Sequence, residues 1–241
     1  FGGVQAVAGV SFSVAAGEML AMIGPNGAGK TTCFNLINGQ LRPDAGEVFL
    51  QEKKIQGLAP RELCRLGVGR TFQVTATFGS MSVRENVQVA LLSHAGRSSS
   101  VFSSFSDAFS EEANELLKKT GMEPQAGRQC AELAYGDLKR VELAMALASR
   151  PRLLLMDEPT AGMAAAERNE LMQLTANLAR DSNIAVLFTE HDMEVVFRHA
   201  DRVIVLSEGA MIAQGTPAEV RADARVRRVY LGGVGEEAGD A

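Results

Sequence analysis

Cysteine is scarce in this chain: Cys33, Cys64 and Cys130 lie far apart, are odd in number and form no C-x-x-C pair. That argues against a disulfide framework or a zinc site and fits reduced thiols in a cytosol. Long apolar runs are missing as well. No stretch approaches the roughly 18 to 20 apolar residues that cross a bilayer, and no secretory leader is visible. If the protein works at a membrane, it does so from outside the bilayer. Positive charge is not in excess either, since 24 Lys and Arg stand against 29 Asp and Glu, a net charge of −5. General nucleic-acid binding is therefore not expected, although a local basic patch stays open. The remainder, 46% apolar and 22% charged over 241 residues, suits one large globular domain or a core with a subdomain. The sequence opens on Phe1, so a short leading segment is expected to precede this numbering.

What is present is concentrated between Met19 and Asn38. An apolar run, Met19-Leu20-Ala21-Met22-Ile23, breaks into Gly24-Pro25-Asn26-Gly27-Ala28-Gly29-Lys30-Thr31-Thr32, and a helical pattern follows until Gly39. A strand, a glycine-rich loop and a helix N-terminus in that order make a phosphate site. The glycines let successive N–H groups point inward at an anion, and the opening helix adds the positive end of its dipole. Lys30 brings an ammonium to the β/γ-phosphates, and the Thr31 hydroxyl can ligate Mg²⁺. Asn26, Gly27, Ala28, Gly29 and Thr32 complete the cradle. The bland alternative, a glycine-rich turn that matches by chance, supplies no reason for the strand before it and the helix after it.

Around this motif the chain alternates strand and helix. Residues 4–14 place Val10, Phe12 and Val14 on one face and Ser11 and Ser13 on the other, which predicts a half-buried strand turned at Ala16-Gly17-Glu18. A second short strand is predicted over 47–50, so the β pieces flanking the first helix have antiparallel character. Pro60 opens a helix to about Arg65, and 67–72 is extended, ending at Gln73. Residues 74–149 read as a helical insertion. It holds a capping box at Ser82-Val83-Arg84-Glu85, a serine-rich loop over 93–110, and helices over about 107–120 and 137–148. From Arg152 the rhythm resumes with strands at 153–156, 184–189 and 203–206, helices at about 165–180 and up to His199, and a last helix opened by the Thr216–Glu219 capping box. The tail 233–241 is glycine-rich and acidic and is expected to be disordered. The fold class is α/β: a P-loop core (1–73 and 150–232) with a mostly parallel central sheet, an antiparallel β subdomain and the inserted α-helical subdomain.

Three further positions carry chemistry. The apolar strand 153–156 ends in Asp157-Glu158-Pro159, a carboxylate where a P-loop site needs its second Mg²⁺ ligand. Neighbours on a strand point to opposite sides, which assigns Asp157 to the metal and Glu158 to the attacking water as general base. His191 follows strand 184–189, at the sheet edge where α/β folds gather ligands, and its neutral imidazole can donate to a γ-phosphate. In isolation such a histidine is more often structural. Gln73 enters the helical insertion at once, where its amide oxygen can ligate Mg²⁺ or orient water.

The loop at Lys30, Gln73, the segment Leu133-Ala134-Tyr135-Gly136-Asp137, Asp157-Glu158 and His191 occur in an order that resembles the ATP-binding cassette family over essentially the whole chain. That resemblance implies ATP hydrolysis with Mg²⁺ and two cassettes sandwiching two ATP molecules head to tail. The signature segment of one chain would close on the nucleotide of the other, through Tyr135, Gly136 and Asp137. Here the signature departs from the family consensus: Ala134 lacks the serine hydroxyl, Tyr135 replaces glycine and Asp137 replaces glutamine. Phe1-Gly2-Gly3, Leu133–Gly136, Asp157–Met163 and Val229-Tyr230-Leu231-Gly232 look like the ATP-binding subunits of bacterial branched-chain amino acid importers. Phe1 matches the position whose ring stacks on adenine, although a buried strand residue is the equal alternative.

The expectation is an ATPase subunit energising permease subunits in the membrane, peripheral on its inner face, with an identical or paralogous cassette as partner and no nucleic acid. Residues 73–92 would carry the contact with the permease, with Arg84 and Gln88 at its surface. Import of urea, amides or another polar solute is the nearest alternative. A soluble cassette of DNA repair or translation, or a regulatory module without turnover, is the rival from another class. The basic residues Arg221, Arg225, Arg227 and Arg228 read as a solvated face.

Overall fold

The computed structural model describes residues 5–71, 77–96 and 109–231. Phe1 and Gln73 therefore lie outside the described residues, as do most of the serine-rich loop and the tail 233–241.

Strand β1 (Met19–Ile23) leads through the glycine loop into helix α1 (Lys30–Ile37). A short pair, β2 (Phe49–Leu50) and β3 (Lys53–Lys54), is antiparallel and forms its own two-stranded sheet. Helix α2 (Pro60–Leu66) and strand β4 (Val68–Thr71) follow. Helices α3 (Val83–His94), α4 (Ser110–Lys119) and α5 (Tyr135–Leu147) come next, before β5 (Leu153–Asp157) and α6 (Ala165–Asp181). The chain then runs through β6 (Ala185–Thr189), α7 (Met193–His199), β7 (Arg202–Ser207), β8 (Ala210–Gly215), α8 (Pro217–Ala222) and α9 (Ala224–Leu231).

The main sheet has the order β4-β5-β6-β1-β7-β8, parallel except for the β7–β8 pair. Strand β1 is central, which explains its unbroken apolar run. Met19, Ala21 and Ile23 pack into one core with α6 and α7, while Leu20 and Met22 pack into the other with Phe34 and Leu63. A strand covered on both faces gains by being apolar at every position. A third core lies among the helices between β4 and β5, built from Val83, Val87, Ala113, Leu117, Val141 and Ala144.

Three expectations change. Residues 5–18 form no strand, although Val10, Phe12 and Val14 do pack inward while Ser11 and Ser13 are exposed. Alternation needs only extended backbone; a ladder needs a partner, and here the Ser13 carbonyl accepts from the Arg202 guanidinium. Strand β8 was not anticipated. It returns antiparallel through Glu208 and Gly209, both at positive φ (48° and 79°), the geometry of a tight hairpin without its usual Asn-Gly signal. Gln88 is not at the surface: it is 1% exposed on the inner face of α3, and Arg84 Nε donates to Asn114 Oδ1 at 2.9 Å. Helical periodicity marks apolar positions, and a glutamine on the inward face carries no such mark.

The capping box at Ser82 forms as expected. Ser82 N–H donates to Glu85 Oε2 at 2.7 Å and Glu85 N–H to Ser82 Oγ at 3.2 Å. These bonds to Ser82 hold the Glu85 carboxyl below its ordinary pKa.

Candidate functional site

The parallel strands deliver their C-terminal ends to one edge of the sheet, where the sequence candidates that come together are found. Beyond β1 the loop curls so tightly that Gly29 adopts φ 102°, and a Cβ there would lie 2.4 Å from the Ala6 carbonyl oxygen. No other residue fits that position. Gly29 is also the N-cap of α1 and offers no side-chain cap, which leaves the first-turn N–H groups of Lys30, Thr31 and Thr32 for a ligand. Lys30 is 8% exposed, and its Nζ donates to the carbonyls of Gly24 (2.7 Å) and Pro25 (3.1 Å). Burial lowers its pKa, and the nearby Glu158 and Asp157 charges oppose that shift.

Asp157 ends β5 directly across from Thr189, the last residue of β6. The Thr189 hydroxyl donates to Asp157 Oδ1 at 2.7 Å, and Arg70 lies 3.4 Å from Oδ2. Arg70 also donates to Asn35 Oδ1 at 3.1 Å, tying β4 to α1. Glu158 does not continue the strand. It sits at φ 49°, and its N–H is shared between the Thr189 carbonyl and hydroxyl oxygens, each 3.1 Å away. The divergence of the two carboxylates thus comes from a left-handed turn rather than strand alternation, a conformation that persists only where its surroundings hold it. His191 Nε2 meets Glu158 Oε1 at 2.8 Å.

Sequence reasoning missed Thr189, Arg70 and Glu190. Glu190 is 5% exposed, and its Oε1 accepts from Thr160 N at 2.9 Å and Thr160 Oγ1 at 2.7 Å. It clamps the turn after Glu158 to the strand end that carries His191, and burial pushes its carboxyl above the ordinary value. None of the three has a motif of its own; each is legible only once β4, β5 and β6 are known to be neighbours.

The structure does not bring the signature residues into this group. Among the described residues no hydrogen bond or ion pair joins Tyr135, Gly136 or Asp137 to Lys30, Asp157 or Glu158. They occupy the first turn of α5, where Asp137 accepts from Gln125 Nε2 at 2.8 Å. Gly136 packs so closely on Glu167 that a Cβ would lie 3.2 Å from its carboxylate. Tyr135 is 40% exposed, with its ring against Gly162.

The donors suit Mg²⁺. Asp157 is a single carboxylate held by Thr189, Thr31 is an exposed hydroxyl, and no cluster of three His, Cys, Asp or Glu exists among the described residues. Few hard oxygens suit an ion that keeps water and phosphate as its other ligands. A groove of about 620 Å³ opens from Arg70 between α2, β4, α3 and α5, and is lined by Arg61, Arg65, Ala90, Ser93, His94 and Glu142 as well. No described helix is long and apolar enough to cross a membrane.

The ABC transporter family model matches residues 7–161, and a second, for branched-chain amino acid ATP-binding cassette transporters, matches residues 210–236. The chain is 40% identical to the high-affinity branched-chain amino acid transport ATP-binding protein LivG of Salmonella typhimurium, covering 96% of this chain and 94% of the relative. The crystal structure of an ATP-binding cassette of an ABC transporter in its ADP conformation superposes with TM-score 0.85 at 32% identity, over 96% of this chain and 94% of that one. A dimeric cassette bound to ADP and Pi in a post-hydrolysis state superposes with TM-score 0.73 at 28% identity, over 89% of this chain and 91% of that one.

Proposed function

The chain belongs to the ATP-binding cassette family, and from that membership we propose that it is the ATP-hydrolysing subunit of a membrane importer for branched-chain amino acids. The solute class is carried by one observation: the segment 210–236 matches the model specific to branched-chain amino acid cassettes, beyond the general cassette match.

The chain's own residues divide the work. The backbone of Asn26–Thr32 and the Lys30 ammonium bind the phosphates, with Lys30 exchanging the Gly24 and Pro25 carbonyls for phosphate oxygens. Thr31 and Asp157 would hold Mg²⁺, which would supply positive charge against the phosphates. Glu158 takes a proton from the attacking water, while His191 fixes the Glu158 carboxylate and presents its ring at the sheet edge. One Thr189 hydroxyl donates to the Asp157 carboxylate and accepts the backbone N–H of Glu158, so it holds the metal ligand and the turn that carries the base. Thr189→Val keeps the shape but removes a hydrogen bond to a charged group, which is worth about 1.5–3 kcal/mol. The expected result is a loss of about 10- to 100-fold in kcat, measured by phosphate release.

A second cassette supplies Tyr135, Gly136 and Asp137 to each site. The permease occupies the groove at Ala90, Ser93 and His94, on the face of α3 that is left open. The protein then acts from the cytoplasmic side of the membrane, with residues 74–149 as its helical unit. Uptake of labelled leucine, isoleucine and valine by cells deleted for the gene tests this reading. Uptake should fall and return with the wild-type gene but not with Glu158→Gln, while Ser93→Arg should lower uptake more than hydrolysis by the isolated chain. Intact leucine uptake together with lost urea or amide uptake would reassign the solute.

A further inference from the structure

The His191 side chain is 53% exposed, and its ring makes one hydrogen bond among the described residues, between Nε2 and Glu158 Oε1. An exposed ring with one partner has little packing to restrict its rotamers, so the backbone on either side of it decides where Nε2 lies. On one side stands Glu190, buried and bonded to Thr160. On the other stands Asp192, and both of its carboxylate oxygens are engaged. Oδ1 accepts the N–H groups of Glu194 at 2.9 Å and Val195 at 3.3 Å, which caps α7, and Oδ2 accepts from Arg168 Nη1.

Arg168 makes a second contact from the same guanidinium. Its Nε donates to the Met163 carbonyl at 2.9 Å, in the loop that follows Glu158 and Thr160. One side chain thus joins the loop after β5 to the turn after β6. The planar fork holds its donors in fixed directions, so the carbonyl and the carboxylate are set at a fixed separation. An ion pair this open to solvent adds little to stability, so the consequence of the bridge lies in geometry.

The base from which Arg168 reaches is rigid. Its N–H closes the first turn of α6 on the Ala164 carbonyl at 3.0 Å, and Leu171 and Met172 beyond it are buried in the core that holds Ile23 and Met156. The contact between Glu158 and His191 is therefore flanked by two ties between the same two turns. Thr160 meets Glu190 before His191 in the chain, and Met163 meets Asp192, through Arg168, after it.

We infer that Arg168 is a positioning residue for hydrolysis: by bridging the Met163 carbonyl and the Asp192 carboxylate it fixes where His191 meets Glu158. The inference rests on the ATPase reading of the site.

Arg168→Ala in the full chain should lower kcat at saturating ATP about tenfold, the lower end of what a charge-assisted bond contributes, with the KM for ATP unchanged. Arg168→Lys should recover only part of the rate, because an ammonium is a single point charge without the fork. Asp192→Asn keeps an acceptor oxygen for the α7 cap and removes the charge that Arg168 binds. It should match Arg168→Ala, and the two together should cost no more than either alone. Single-turnover hydrolysis reads the slow variants. There, adding Arg168→Ala to His191→Ala should leave the rate unchanged, since Arg168 works through His191. Wild-type kcat in Arg168→Ala, or full recovery by lysine, overturns the inference. So does an equal loss with and without His191 accompanied by a lower melting midpoint, which is the signature of a structural role alone. A wild type that hydrolyses no ATP overturns the reading of the site itself, and this inference with it.

Discussion

Replacing Glu158 with glutamine is expected to slow ATP hydrolysis by about 10²–10⁴-fold, the span of general-base catalysis, while ATP binds nearly as before. Glutamine keeps the shape and one acceptor oxygen, so the contact with His191 Nε2 can persist and the left-handed turn at φ 49° keeps both bonds from its N–H to Thr189. What is lost is the basic oxygen. Binding is spared because Lys30, Thr31 and Asp157 lie on other elements. If Gly136 of a second chain closes each site, stalled hydrolysis lets the ATP-bound dimer accumulate, visible by sedimentation at high protein concentration with saturating ATP. Near-normal turnover would remove Glu158 from the chemistry. Lost turnover without a dimer would count against this chain pairing with itself.

Lys30→Ala is expected to abolish detectable nucleotide binding, a loss of at least about 100-fold given the strength of charge-assisted bonds to phosphate. Lys30 is 8% exposed and already partly stripped of water, so part of its desolvation has been met in folding rather than on binding. Removing it leaves the loop's backbone donors and helix terminus, which hold an anion weakly by themselves. The fold should survive, because among the described residues the side chain bonds only the Gly24 and Pro25 carbonyls of its own loop. Calorimetric titration with ATP, alongside a melting curve, separates loss of the site from loss of the protein. Undiminished affinity would show that the phosphates bind elsewhere.

The boundaries of β1, α1 and β5 were legible because each combines a period with a stop signal in a few residues: an apolar run into glycine, a loop into helix, and an apolar run into two carboxylates. The same local chemistry identified Lys30, Thr31, Asp157 and His191 as candidates. Strand β8 escaped because its turn, Glu208-Gly209, is a weak signal and its own residues show no apolar–polar alternation. Gln88 was misplaced for the converse reason, a polar residue on an inward face.

By itself the sequence determined the kind of site, since phosphate recognition by a glycine loop and the provision of a strand-end carboxylate are properties of a few contiguous residues. Only the tertiary structure decided how those groups are held. Thr189 reaches Asp157 and Glu158 because β6 pairs with β5 across 32 residues of chain, and Glu190 clamps Thr160 over 30. It also decided that Tyr135, Gly136 and Asp137 stand apart from the loop of their own chain. Such contacts join residues that carry no pattern relative to one another, and strand order and core packing, which bring them together, are properties of the whole chain.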